Sequence, residues 1–582
     1  MRFTRYTLYW QFNLVCLLLI QAAYLPSLSS GTMFYAAAAI VSQTTLLLVI
    51  LSVFFGLMRR IGMKNRALTL MHWILFTALL LLILADLQLY RMYGFHINGF
   101  VINLVLTPGG IESLGSSTAT LLTYGAMAFS VALLQGLLML GSLRAQPRNR
   151  WYKLTSPRKR GLLLLAMVVL VDKAAYGVAS FTGEKKILLT ANSLPAYVTV
   201  TFRSTLLKLG FNQRSRGPSF AGNTALSSLA YPRNPLTVSQ SSGFNIVWLT
   251  AETLRADMLT PEIMPRTWAF AKERGITFQH HYSGGNGTRM GMFSQFYGLP
   301  GRYWFNFLEE RKPAAIMEVL QQQQYDIRLY SGAKFSYPEF DKTMFASVPS
   351  QQMQDNASGN LGNTGWQADR KNVDSLISNL DDLLPTQQFM RFVFFESAHA
   401  RYYFPPESVI REPYLPSVNY ATMNLERDKT LLLNRYVNSV HHLDSQIGRV
   451  LDALERKNLL DSTIVIITGD HGEAFMEHGQ WGHNSEFTDE QTRVPLVVAI
   501  PGEPARSVAR LTSHVDLVPT LMPLLGVENP RQDYSTGTDL LGTSSSPYVI
   551  ISDWERVCLV TDEFKLYRAV NPRAWFYQLG HH

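Results

Sequence analysis

A chain of 582 residues with 47% apolar content is long enough for more than one domain. Its two cysteines, Cys16 and Cys558, lie far apart, and Cys16 falls in an apolar segment, which argues against a disulfide framework and a zinc–thiolate site. Residues 1–180 carry 15 Lys+Arg against 3 Asp+Glu, a net charge of +12, so with +9 overall the remainder is −3. This distribution places the basic residues between apolar segments and argues against a nucleic-acid partner.

The N-terminal 180 residues are predicted to form a transmembrane domain of five helices. Each of five apolar segments approaches the ~20 residues that a helix needs to cross the hydrocarbon core. Pro26 interrupts the first, which could be mistaken for a signal peptide, but no small-residue cleavage site follows and we interpret it as a span. The predicted spans are residues 8–28, 33–57, 68–89, 118–143 and 161–179.

The loops between these segments predict an orientation. Thirteen basic residues lie before the first span and in alternate loops, whereas the other loops hold only Arg91. Positively charged loops stay in the cytoplasm, so the N-terminus is expected in the cytoplasm and everything after residue 180 outside. We therefore expect a bacterial inner-membrane protein with a periplasmic C-terminal domain. The segment 94–117 is too polar to span and is expected on the outer membrane surface.

Three charged residues, Asp86, Asp172 and Lys173, lie in or near the predicted spans. Charge within a membrane usually faces a partner or the bundle interior. These residues indicate either a lipid or signalling site, or else a structural ion pair or residues at the membrane interface, and we favour the second, structural alternative.

Residues 181–242 are expected to form a membrane-proximal connector with short helices near 187–189 and 199–209. Its segment 214–242 is rich in Ser, Asn, Pro and Gly, which is typical of irregular structure. Arg203, Arg214 and Arg216 follow the last span closely, so they could bind anionic phospholipid or lipopolysaccharide head groups, or they could be ordinary solvated charges.

Residues 243–582 alternate apolar strands with amphipathic helices, which predicts an α/β domain built on a mostly parallel, buried sheet. The predicted strands are 245–250, 327–330, 392–395, 463–468 and 496–500, and the predicted helices are 264–274, 314–322, 373–384 and 429–457.

Metal-type ligands follow the strand predicted at 463–468. Asp470 and His471 come directly after its end, and His483 follows twelve residues later behind a glycine. Open α/β sheets place their active sites beyond the carboxyl ends of strands. An Asp-His pair is a weak signal by itself, because a turn with a capping Asp gives the same pattern.

A hydroxyl residue lies beside a second strand end. Glu252 follows the strand 245–250, and the glycine-rich loop 283–287, which contains Asn286, leads to Thr288 at the start of a helix. Such a loop and helix N-terminus favour a phosphate, with Asn286 placed to bind it. Thr288 could be a nucleophile activated by a metal ion, or simply a helix N-cap.

A third strand end, at 395, precedes His399, which could bind a phosphoryl oxygen, protonate a leaving group or be a surface histidine. Together, the strand ends supply carboxylates, a hydroxyl and imidazoles. This donor set suits Zn²⁺ or Mn²⁺, with Mg²⁺ as a further candidate.

The order and spacing of these residues resemble the alkaline phosphatase/sulfatase superfamily, in particular the branch of lipoteichoic acid synthase and the phosphoethanolamine transferases. The resemblance covers about residues 243–540. A formylglycine sulfatase is disfavoured, because the nucleophile position reads Thr288-Arg-Met-Gly-Met and no cysteine lies near it. The resemblance implies a sulfatase-like domain with Thr288 as nucleophile, His399 as a substrate-binding residue, and Glu252, Thr288, Asp470, His471 and His483 as metal ligands.

Two functions follow from these expectations. The first is a metal-dependent phosphatase or phosphotransferase that acts on lipid-linked or envelope phosphoesters. The second comes from a resemblance of the whole architecture to Gram-negative inner-membrane proteins tied to lipopolysaccharide and cardiolipin homeostasis. It implies a lipid-sensing regulator with little or no catalysis, signalling through its cytoplasmic loops to a protein partner.

Overall fold

The computed structural model describes residues 6–25, 30–107, 110, 118–144, 159–182, 184–209, 229–239, 243–356, 365–384, 386–544, 546–569 and 576–578. The chain forms two compact units. The first comprises Met1–Ile97 and Leu121–Ala225, and the second Asn98–Thr120 and Leu226–His582.

Four helices are long and apolar enough to cross a membrane, and the prediction of five spans is wrong within the described residues. The first apolar segment forms a helix of only 16 residues. At 1.5 Å per residue it is about 24 Å long, shorter than the ~30 Å hydrocarbon core. The helices are α1 (Thr7–Ala22), α2 (Ser30–Arg60), α3 (Asn65–Tyr93), α4 (Gly99–Leu106), α5 (Thr118–Arg144) and α6 (Lys159–Thr182).

The charged residues of the apolar helices have close partners. Asp172 lies 2.8 Å from Lys173 Nζ and accepts a hydrogen bond from Tyr197 OH. Asp86 accepts hydrogen bonds from Tyr24 OH and from the backbone N–H of Ile97. Each of the two aspartates therefore has charged or polar partners within the chain, as expected for a structural ion pair.

The connector holds two short helices, α7 (Lys185–Asn192) and α8 (Arg203–Lys208). The lipid-binding prediction falls largely on residues whose side chains the structure does not describe. Arg214 and Arg216 lie outside the described residues, and of Arg203 only the backbone is described.

The second unit is organised around an eight-stranded sheet in the order β10-β2-β9-β6-β1-β5-β3-β4. Only β9 runs antiparallel to its neighbours, so the expectation of a mostly parallel sheet is confirmed. Strands β2 and β10 escaped prediction because exposed residues break up their apolar runs. The strands are β1 (Asn245–Ala251), β2 (Ile276–Tyr282), β3 (Asp326–Ser331), β4 (Met353–Asp355), β5 (Phe389–Phe395), β6 (Thr463–Gly469), β9 (Leu496–Ala499) and β10 (Arg506–Ser513), together with the hairpin of β7 (Ala474–Phe475) and β8 (Trp481–Gly482).

Helices pack against this sheet, and a second, antiparallel sheet follows it. The longest helix begins after Asn424, whose side chain caps it by accepting from Arg427 N–H. The helix predicted at 373–384 begins earlier, at Gly365. The helices are α9 (Pro265–Arg274), α10 (Thr288–Tyr297), α11 (Trp304–Glu310), α12 (Ala315–Gln322), α13 (Gly365–Asp381), α14 (Leu425–Arg456), α15 (Asp489–Thr492) and α16 (Leu517–Leu524), and the antiparallel strands are β11 (Val549–Ser552), β12 (Arg556–Val560), β13 (Lys565–Ala569) and β14 (Phe576–Gln578).

The three central strands β1, β5 and β6 are buried along their whole length, which explains their continuous apolar runs. They end in register, because Ala251 pairs with both Phe395 and Gly469. The residue that follows each strand therefore lies at the same edge of the sheet.

Candidate functional site

Three carboxylates follow these in-register strand ends: Glu252 after β1, Glu396 after β5 and Asp470 after β6. Backbone hydrogen bonds continue the ladder by one residue. Glu252 N–H donates to Phe395 O at 3.0 Å, and Asp470 N–H donates to Ala251 O at 3.1 Å. Adjacent parallel strands thus crowd three acidic groups together at one edge.

The Asp470 carboxylate is held by one oxygen and leaves the other without a donor. Oδ1 accepts from Thr253 N–H at 3.0 Å and from His471 N–H at 2.7 Å. Oδ2 is buried and accepts no hydrogen bond from the described residues. An orphaned buried carboxylate oxygen is costly, which indicates a site for a cationic ligand.

His471 presents its Nε2 atom to the same place. Its Nδ1 lies 2.8 Å from Gly472 O, an arrangement in which Nδ1–H donates to that carbonyl and Nε2 keeps its lone pair. Nε2 lies 3.4 Å from Asp470 Oδ2. The imidazole and the carboxylate can therefore bind one ion together.

Thr288 is the first residue of α10, and its hydroxyl faces this group. Its Oγ1 lies 3.3 Å from Glu252 Oε1 and 3.3 Å from His471 Nε2. Gly287 occupies the N-cap position, so the alternative of Thr288 as the N-cap is wrong. The Thr288 hydroxyl therefore does not cap the helix and instead lies against the Glu252 carboxylate and the His471 imidazole.

The glycines around Thr288 permit this close packing. A Cβ on Gly291 would lie 2.1 Å from the backbone oxygen of Asp470, and one on Gly287 would lie 2.0 Å from Asn484 Oδ1. Asn286 is completely buried, and its Nδ2 donates to Glu486 O at 2.9 Å. Asn286 thus supports the loop, and its role toward substrate stays a prediction.

His399 lies close to both Glu252 and Glu396. Its Nε2 is 3.7 Å from Glu252 Oε1, and its Nδ1 is 3.8 Å from Glu396 Oε1. Ligand atoms of these three residues all lie within 4.8 Å of one another, so they also could hold a metal ion. Asp369 fixes this strand end by accepting from the N–H groups of Glu396 and Ser397, each at 2.8 Å.

His483 approaches from the β7–β8 hairpin. Its ring centroid lies 4.4 Å from that of His471 and 5.6 Å from that of His399. Its Nδ1 lies 3.1 Å from Glu473 Oε2, a fully buried carboxylate that orients the ring. All five residues predicted as metal ligands therefore belong to one cluster.

Sequence reasoning missed three residues of this cluster and its surroundings. Glu396 could have been found by the rule that selected Glu252, since both follow a buried strand directly. Glu473 needed the hairpin that brings it to His483. Arg289, beside Thr288, forms a buried bidentate pair with Glu339 at 2.8 and 3.0 Å, which nothing in the sequence indicates.

Burial and mutual repulsion disfavour the charged form of the carboxyl groups in this cluster. Burial and neighbouring carboxylates raise the pKa values of Glu252 and Glu396 to about 8, and the pKa of Asp470 also lies well above its usual range. Burial lowers the pKa of His483 to about 3. A dication would reverse this balance, and oxygen and imidazole donors fit such an ion.

Comparisons with known proteins agree with this architecture. A sulfatase family model matches residues 244–527, and a domain of unknown function, DUF3413, matches residues 4–238. The inner membrane protein YejM of Salmonella typhi is 25% identical over 540 residues, covering 89% of this chain and 82% of that protein. Human iduronate 2-sulfatase is 37% identical over 121 residues, covering 16% of this chain and 22% of that protein.

Among solved structures, a phosphonate monoester hydrolase of Agrobacterium radiobacter matches with 16% identity and a TM-score of 0.46, covering 58% of this chain and 89% of that one. The two family models together span both units of the chain, and the YejM match runs across both. Residues 244–527 therefore match the sulfatase family, and the chain as a whole is similar to the YejM inner membrane proteins.

Proposed function

We propose that this protein is a membrane-anchored, metal-dependent phosphoester hydrolase or phosphotransferase with Thr288 as its nucleophile. One observation carries the proposal: the Thr288 hydroxyl lies at the start of a helix, 3.3 Å from both a carboxylate and an imidazole. The helix N-terminus favours the phosphate, and the two neighbours favour loss of the hydroxyl proton.

The residues present fit a divalent metal. Asp470 Oδ2 is buried and accepts no hydrogen bond from the described residues, and the set of oxygen and nitrogen ligand atoms suits Zn²⁺ or Mn²⁺. When bound, such an ion polarises a phosphoryl oxygen and lowers the pKa of a hydroxyl. Glu252, Thr288, Asp470 and His471 would hold it, and His483 would serve a second or exchangeable position.

Thr288, Glu252 and His399 then have separate roles in the proposed reaction. Thr288 Oγ1 bonds to phosphorus, its proton passes to Glu252, and the ester P–O bond breaks. His399 protonates the leaving oxygen. Water or an acceptor hydroxyl gives its proton to His399 and attacks the phosphothreonine, and Thr288 recovers its proton from Glu252.

The direct test compares Thr288→Ala with Thr288→Ser in the purified full-length protein, using bis(p-nitrophenyl) phosphate and p-nitrophenyl phosphate. Removing the hydroxyl should lower kcat by roughly 10³-fold or more, whereas serine, which keeps a hydroxyl, should retain measurable turnover. Equal rates for wild type and Thr288→Ala would remove Thr288 from the mechanism. Metal content measured on all three proteins separates a lost nucleophile from a lost ion.

A second candidate is the lipid-sensing regulator expected from the sequence, in which catalysis is dispensable, and the similarity to an inner membrane protein across both units is compatible with it. In this reading, anionic lipid or lipopolysaccharide binds the connector, where Arg203, Arg214 and Arg216 are the proposed contacts. Complementation of a deletion strain discriminates the two functions. Full rescue by Asp470→Asn favours regulation, and loss of rescue favours chemistry.

A further inference from the structure

Helices α13 and α14 border an open cleft in the second unit, and none of its lining residues belongs to the candidate active site. Its volume is about 440 Å³, within the roughly 300–1,000 Å³ of small-molecule sites. All nine residues that line it have polar side chains. We call it the α13–α14 cleft, and its charged and imidazole side chains are Arg370, Asp374, Glu407, His441, His442 and Arg449.

The buried part of the cleft contains one polar atom without a partner. Gln446 is buried and satisfied, because its Oε1 accepts from Arg449 Nη1 at 2.9 Å and its Nε2 donates to Ser445 Oγ at 3.0 Å. His442 is only 1% exposed, and its Nε2 makes no hydrogen bond with the described residues. A buried polar atom in this condition is costly unless a ligand or a water molecule pairs with it.

The missing partner of His442 is a hydrogen-bond donor. Burial, together with the charge of Arg370, lowers the pKa of His442 to about 4, so the ring is neutral at pH 7 and carries one N–H. That N–H donates to the backbone carbonyl of Trp366. Because Nε2 is without a partner, the hydrogen is on Nδ1 and Nε2 keeps its lone pair.

The neighbouring histidine also offers an acceptor to the cleft. His441 Nδ1 lies 2.8 Å from Ile263 O, an arrangement in which Nδ1–H donates to that carbonyl. In the neutral ring, Nε2 of His441 is then an acceptor as well. Two adjacent residues of α14 thus present acceptors rather than donors to whatever occupies the cleft.

The charged side chains of the cleft balance one another. Arg370 Nη2 lies 2.9 Å from Glu407 Oε1, and Arg449 pairs with Asp374. With neutral imidazoles the cleft therefore has no net charge. A fully ionised anion would meet two carboxylates and bring no hydrogen to His442, and a bare cation would meet two guanidinium groups.

A metal ion does not fit this arrangement either. The carboxylates and imidazoles of the cleft are not among the groups of described residues whose ligand atoms lie close enough to share an ion. Hydroxyl groups do fit, because each one donates one hydrogen bond and accepts others. Neighbouring hydroxyls can donate to an imidazole Nε2 or a carboxylate while they accept from a guanidinium.

We propose that the α13–α14 cleft binds a neutral saccharide, one hydroxyl group of which donates to His442 Nε2. The volume of the cleft, its wholly polar lining and its balanced charge all match a compact, uncharged molecule with many hydroxyl groups. This site is independent of the phosphoester chemistry proposed for Thr288, because the two share no residue.

The test is saturation-transfer NMR with maltose and N-acetylglucosamine as probes. The full-length protein is placed in nanodiscs of phosphatidylethanolamine and phosphatidylglycerol, because sugar-based detergents would compete for the cleft. Wild type should transfer saturation to at least one of the two sugars, and His442→Leu should reduce the signal several-fold. His442→Gln, which keeps an acceptor, should retain most of it. The matched control is His280→Leu, since His280 is exposed on β2 and does not line the cleft.

Two results would overturn the inference. One is the absence of transfer to both sugars, or equal signals from wild type and His442→Leu, which is expected if only water fills the cleft. The other is loss of the sugar signal when inorganic phosphate or glycine is added at the concentration of the sugar, because the cleft would then prefer an anion or a zwitterion.

A second variant keeps the test available if His442→Leu fails to fold. Arg449→Met changes an exposed side chain and removes guanidinium donors from the cleft, so it should also lower the sugar signal several-fold. Turnover of bis(p-nitrophenyl) phosphate should be unchanged in Arg449→Met and in both His442 variants. A parallel loss of turnover and sugar signal would contradict a separate saccharide site, whereas Thr288→Ala should lose turnover alone.

Discussion

The two units of this protein differ in how their buried carboxylates are paired. Among the apolar helices, Asp172 has a lysine and a tyrosine hydroxyl within hydrogen-bonding distance, so the group is neutralised by the chain alone. At the edge of the sheet, Glu252, Glu396 and Asp470 are gathered from three strands, and one buried oxygen has no donor among the described residues. The Asp172 carboxylate is paired with a lysine of the chain, whereas no lysine or arginine among the described residues pairs with the three carboxylates at the sheet edge, so a bound cation would reduce the cost of burying them.

The largest effect is expected when the ion pair between Asp172 and Lys173 is broken. Replacing Asp172 by Ala leaves Lys173 buried without its carboxylate, which should cost about 3–5 kcal/mol of stability. Denaturation of the full-length protein in mixed micelles measures this loss. The double variant with Lys173→Met should recover part of it, and a variant as stable as wild type would mean that the pair is not structural.

The matching change at the sheet edge should behave differently. Asp470→Asn removes one crowded negative charge, so the metal-free protein should be no less stable than wild type, but its affinity for Zn²⁺ or Mn²⁺ should fall by more than about 100-fold. Thermal melting with and without added metal tests both halves. A metal-dependent rise in Tm equal to that of wild type would exclude Asp470 as a ligand.

A third prediction concerns Glu473→Gln, because Glu473 contacts the ring of His483, a predicted metal ligand. Loss of its negative charge should weaken the hold on the ring and lower metal affinity by about 10- to 100-fold, less than the effect of Asp470→Asn. Competition with a chelating dye gives the affinity. A larger loss for Glu473→Gln than for Asp470→Asn would assign Glu473 to direct metal binding.

The smallest effect belongs to a charge pair in water. Arg411 makes a bidentate contact with Glu262, with distances of 2.6 and 3.0 Å, and both side chains are exposed. A double-mutant cycle with Ala at both positions should give less than about 1 kcal/mol of coupling, which falls further as salt is added. A salt-independent coupling of several kcal/mol would contradict the expectation that this exposed pair contributes less to stability than the buried charges do.

Much of the candidate site could be predicted because its chemistry follows local rules. Continuous apolar runs identify buried strands, and a polar residue directly after such a run lies at the sheet edge. Glu252, Asp470 and His471 could be selected in this way from the sequence alone. Composition and length also located the four long apolar helices, because hydrophobic thickness sets the length of a span, but they did not show that the first predicted span forms a helix of only 16 residues.

The rest depended on contacts between distant parts of the chain. Strand register aligned Ala251 with Phe395 and Gly469, which made Glu396 a neighbour of Glu252, and the β7–β8 hairpin brought Glu473 to His483. Folding also set Phe100 of α4 against Trp554, more than four hundred residues away in the chain. The sequence by itself determined which segments are buried and which residues end them. Which of those ends meet was decided only by the tertiary structure, because strand pairing and side-chain packing join residues whose separation leaves no local pattern.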